Sequence, residues 1–81
     1  MRSMNSYTHI KEALQLAEQA VYQGQMNLDA ANFQKAQMHL NMVQQQINEQ
    51  KEQASGDKEL KRMEEHLRHL REAQQAIQQN F

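Results

Sequence analysis

The chain has 81 residues, no cysteine, no proline, and nine basic against ten acidic side chains. Without cysteine there is neither a disulfide framework nor a thiolate metal site. A formal charge of −1 gives no long-range pull towards nucleic acid or anionic lipid. No apolar run approaches the ~18–20 residues of a membrane span, and the opening MRSMNSYTH lacks the apolar centre of a signal peptide. A cytoplasmic protein without a membrane partner is therefore expected. Met4 is an alternative start, which would make residues 1–3 non-native.

Only 38% of the residues are hydrophobic, and fifteen are glutamine. Glutamine forms helix well and keeps an exposed face polar without charging it. Two glycines and few β-branched residues point the same way, to an all-α chain. Disorder is the competing reading of such a composition, and regular apolar spacing argues against it.

Residues 1–5 read as a flexible tail, and 6–81 as one helical-bundle domain. Ser6 is the expected N-cap of the first helix, since its hydroxyl can accept from a first-turn N–H. Tyr7, Ile10, Leu14, Ala17 and Val21 then recur at three- and four-residue steps, with Ala13 and Ala20 widening the stripe. Gly24 stands where a left-handed residue commonly closes a helix, so the first helix is predicted over 6–23.

Asp29, with Asn27 as the alternative, caps a second helix over 30–54. Leu28 and Phe33 then take the positions of a hydrophobic staple. Phe33, Ala36, Leu40, Val43 and Ile47 form its seam. Ser55-Gly56-Asp57 is a compact break, with Gly56 stopping one helix and Asp57 capping the next.

The third helix, 58–79, carries Leu60, Met63, Leu67, Leu70 and Ile77, followed by Phe81, with Gln74 interrupting the seam. Opposite charges one turn apart pair Asp57 with Lys61, Lys61 with Glu65, Glu64 with Arg68 and Arg68 with Glu72. Short connections make neighbouring helices antiparallel. The expected fold is an antiparallel three-helix bundle, with a short helix 1 and long helices 2 and 3. Counting outward from the turns brings Ile77 and Phe81 back to the end where Val21, Leu28 and Phe33 lie.

Little here supports catalysis or a cofactor. No glycine-rich loop cradles phosphate, and neither serine-containing break resembles a nucleophile elbow. His66 and His69, with Glu65, offer half of a metal site, but the pattern is not H-E-x-x-H. No catalytic, cofactor or metal residue is assigned. Lys58, Lys61, Arg62, Arg68 and Arg71 form an alternative nucleic-acid face. Glu59, Glu64, Glu65 and Glu72 on the same helix neutralise it, and no aromatic residue is interleaved for base stacking.

Methionine is more informative, with six in the chain. Met38 and Met42 lie one turn apart on helix 2 and off its seam, as Leu16 and Tyr22 are on helix 1. Scattered surface hydrophobes are ordinary, but flexible methionines suit a surface that binds another protein. Met38, Met42, Leu16 and Tyr22 are the candidate partner surface of a non-catalytic interaction module. Two methionines are too narrow a patch for a stable two-fold interface, so a monomer or weak homodimer is expected.

The run AVYQGQMNLDAANFQKAQMHLNMVQQQI resembles small uncharacterised helical proteins, about 80 residues long, of spore-forming Gram-positive bacteria. Those pair a short helix and a Met-x-Asp type break with a long helix rich in alanine and glutamine. The similarity covers residues 7–54, carried by Gln25-Met26-Asn27-Leu28-Asp29 and the seam after it. Ala30 stands where such chains often have proline. The resemblance implies a cytoplasmic bacterial protein without known catalytic residues, and no mechanism.

Overall fold

A computed structural model describes residues 7–54 and 56–79. The expected N-terminal tail, the Ser6 cap, Ser55 and Phe81 lie outside the described residues. Three α-helices, α1 (Thr8–Met26), α2 (Ala30–Gln53) and α3 (Lys58–Gln78), have 19, 24 and 21 residues. Among the described residues there is no strand.

Spacing explains the packing. Ile10, Leu14, Ala17, Ala20 and Val21 of α1 are buried, as are Ala36, Leu40, Val43 and Ile47 of α2 and Leu60, Met63, Leu67, Leu70 and Ile77 of α3. Steps of three and four keep each set on one side of its helix, so the three stripes meet in a single core cluster. Tyr7, Ala13, Phe33 and Ala73 are half-buried at its margin.

Contacts between helices locate their ends. Near the start of α1, Lys11 pairs with Glu59 in the first turn of α3. Near the end of α2, Lys51 Nζ donates to Glu64 Oε2 of α3 at 2.7 Å. The end of α3 lies at the α1–α2 junction: Gln74 bonds Phe33 of α2, and Ile77 packs beside Gly24 of α1.

Both aspartates expected as caps take that role. Asp29 accepts from the backbone N–H of Asn32 at 3.1 Å. Asp57 accepts from Glu59 and Leu60 at 2.9 and 3.2 Å. Gly56 has φ +92°, the left-handed conformation that glycine adopts without a Cβ penalty.

Gly24 does not close α1. The helix continues to Met26, and Gly24 is buried inside it without a positive φ. It falls three residues after Val21, on the core stripe, facing Ile77. A Cβ built there would stand 3.5 Å from Ile77 Cδ1. Closure comes at Asn27, whose extended backbone (φ −128°, ψ 99°) still donates its N–H to Gln23 O. Leu28, expected to staple against Phe33, is largely exposed.

Gln74 does not merely interrupt the α3 seam. It is buried, and its amide nitrogen donates to Phe33 O at 2.9 Å and Gln37 Oε1 at 3.3 Å. Of the four expected α3 ion pairs, Arg68 with Glu72 is present at 3.7 Å. Glu64 turns instead to Lys51 of α2, and Asp57 to the first backbone N–H groups of α3 that it caps.

Candidate interaction surface

Met38 and Met42 each stand two residues from Leu40, one before it and one after. At 100° per residue they lie about 160° round the helix from the seam. Leu40 is fully buried, whereas Met38 is 65% exposed and Met42 49%. Gln45 and Glu49, both exposed, continue the row along α2.

The other two candidates are exposed on different flanks of α1. Leu16 (53% exposed) lines a shallow groove between α1 and α2 with Gln19, Ala20, Gln23, Lys35 and His39. Tyr22 (50% exposed) lies on the α3 flank of α1, where its hydroxyl donates to Glu18 Oε2 at 3.2 Å. That bond to a carboxylate is the main reason its phenol is held above the usual range. Met38 and Met42 thus share one row of α2, with Leu16 on the α2 flank of α1 beside Lys35 and His39, and Tyr22 on the α3 flank.

Glu18 brings together groups that the sequence had not connected. Its Oε2 also lies 3.6 Å from His66 Nε2, across the α1–α3 groove. This groove, about 450 Å³, has Leu14 and Met63 in its floor and the paired Lys11 and Glu59 beside Arg62 on its walls. His69 faces Glu65 and Glu72 on its own helix, at 3.7 and 3.9 Å. The suspected half-site of His66, His69 and Glu65 is thus divided between two sides of α3. Among the described residues, no group of three or more His, Asp or Glu side chains is arranged to hold a metal ion.

The basic residues of α3 also divide. Arg68 is bound by Glu65 and Glu72, and the hydrogen bond it donates to Glu65 is the largest cause raising its already high pKa. Arg71 donates to Asn41 Oδ1 at 3.4 Å. Lys58, Lys61 and Arg62 make no side-chain ion pair among the described residues. They share the first turns of α3 with Asp57 and Glu59, so their charge is partly cancelled locally.

At the base of the bundle, Tyr7 approaches Asp57. Desolvation, followed by a hydrogen bond to that carboxylate, raises the Tyr7 pKa. The pKa of the Asp57 carboxyl is lowered, chiefly by the backbone N–H of Leu60, which outweighs an opposing desolvation, with lesser help from the nearby Tyr7 hydroxyl and the N–H of Glu59. Tyr7 and Asp57 thus stand close together where α1 and α3 begin. They form a structural junction.

No helix among the described residues is long and apolar enough to cross a membrane. No protein-family model, curated protein or solved structure matches the chain.

Proposed function

We propose that the chain is a non-catalytic helical interaction module presenting the outer face of α2, centred on Met38 and Met42, to another protein. One observation carries this reading: two large apolar side chains, 65% and 49% exposed, flank a fully buried Leu40 on the same helix. Methionine adapts its shape to a partner's surface and gains apolar burial on contact. Leu16 and Tyr22 then serve as edges of neighbouring grooves.

In this reading the helices run up, down and up as an antiparallel bundle, with a short α1 and longer α2 and α3. Support comes from Lys11–Glu59 and Gly24–Ile77, which join like ends of α1 and α3. The protein acts in the bacterial cytoplasm, as the sequence resemblance implies, and is a monomer or weak homodimer. The row is two methionines wide, well short of the ~1,000 Å² that a stable interface usually buries in total.

Capture from the native cell with the whole chain as bait tests the proposal. A partner retained by the natural protein and lost with Met38→Glu/Met42→Glu supports it, and equal retention refutes it. Light scattering at micromolar concentration tests assembly, where a tight dimer unaffected by the double substitution would contradict the assignment. The nucleic-acid alternative narrows to Lys58, Lys61 and Arg62, and salt-dependent retention on nucleic acid would favour it.

A further inference from the structure

Gln74 is the one buried polar residue among the described core positions, at 3% exposure. Its two amide protons are committed to α2, through Phe33 O and Gln37 Oε1. The orientation of the amide follows from chemistry: Phe33 O only accepts, so the nitrogen must face it. Gln74 Oε1 is left buried with no protein donor. A buried acceptor in that condition carries a substantial desolvation penalty, and native proteins satisfy such groups.

Beside it lies a cavity of about 140 Å³ between α2 and α3, lined by Gln37, Leu40, Arg71, Gln74, Gln75 and Gln78. That exceeds the ~10–15 Å³ of probe volume needed to hold one water. Five of its six lining residues are amides or a guanidinium, which disfavours an apolar guest. Arg71 opposes a cation, and the unpaired Gln74 oxygen opposes an anion. A small neutral molecule able both to donate and to accept fits this chemistry.

We propose that this open cleft is a hydration site, in which a small shift of the exposed Gln37, Gln75 and Gln78 side chains lets an ordered water donate to Gln74 Oε1. Water completes a polar pin between α3 and α2. An apolar residue at position 74 could slide along the α2 seam, whereas the amide nitrogen finds its two acceptors at one register only. The site is independent of the Met38–Met42 surface, on the opposite side of α2.

A crystal structure of the whole chain that resolves ordered water tests this directly. The expected result is a water at about 2.7–3.2 Å from Gln74 Oε1. In solution, magnetisation transfer from a long-lived water should reach the Gln74 side-chain NH2 and the backbone N–H of Gln75, and the transfer to Gln75 should disappear in Gln74→Leu. A protein donor bonded to Oε1, or a dry cavity that takes up xenon, would overturn the proposal. The natural protein alone decides the question if Gln74→Leu fails to fold.

Discussion

The two junctions of the bundle contain the same pair of residue types and use them differently. At the α2–α3 junction, Gly56 adopts φ +92° and the next residue, Asp57, caps α3 through two backbone N–H groups. At the α1–α2 junction, Gly24 remains helical and buried, the chain turns at Asn27, and Asp29 caps α2 through one N–H. Glycine permits a left-handed turn but does not require one. Position relative to the core stripe decides: Gly24 falls on it and serves packing, while Gly56 lies beyond it and serves the turn.

The core that both junctions serve sets the scale of their effects. Leu40→Ala, at the centre of the buried α2 seam, should cost ~2–5 kcal/mol in chemical denaturation. A change within error would mean that the seam is not the core, and the junction comparison would lose its frame. Gly56→Ala should cost about 1–2 kcal/mol, because a Cβ disfavours the left-handed backbone. Nothing lies within 4 Å of that Cβ, so the loss is conformational rather than steric. Neutrality would remove the distinction between the two glycines.

The caps should differ in the same direction. Asp57→Ala should lower Tm more than Asp29→Ala, since it leaves two backbone N–H groups without their acceptor rather than one. Native bonding holds the Asp57 carboxyl below its ordinary value of 3.8, so its contribution is present above that pH. It is lost as pH falls through the lower native pKa. Melting of the natural protein and Asp57→Asn across acid pH should converge on acidification. A gap that widens instead would contradict the bonding at this junction.

Gly24→Ala is the smallest effect and the sharpest discriminator. An alanine within a helix gains roughly 0.5–1 kcal/mol over glycine. Its Cβ would meet Ile77 Cδ1 at 3.5 Å, an ordinary contact. Tm should therefore rise. A fall comparable to that of Gly56→Ala would show that Gly24 is a left-handed terminus after all.

Much of the fold was legible because helix periodicity survives in the order of residues. Ile10, Leu14, Ala17 and Val21 could be grouped by counting, as could Ala36, Leu40, Val43 and Ile47, and both groups are buried. Asp29 and Asp57 were equally readable, since capping is a contact between near neighbours in sequence. Gly24 was not, because its role depends on Ile77, far along the chain. Gln74 looked like a gap in a stripe, and its partners Phe33 and Gln37 belong to another helix. His66 had no sequence signal linking it to Glu18, for the same reason, whereas Tyr22 stands one turn from Glu18 on α1. Of the candidate surface, the spacing of Met38 and Met42 was readable from α2 alone. The separation of Leu16 from Tyr22 required knowing which flank of α1 each neighbouring helix occupies.

The α2 seam makes the core, and the opposite face of the helix is the contact surface we propose. Titration of the captured, purified partner with the natural protein and with Met38→Glu/Met42→Glu tests it most directly, with a thermal melt of each. The account predicts stability within about 0.5 kcal/mol of the natural protein, as for exposed positions generally. It predicts a loss of affinity of roughly tenfold or more, the equivalent of ~1.4 kcal/mol. Unchanged affinity in a variant that melts normally would contradict it.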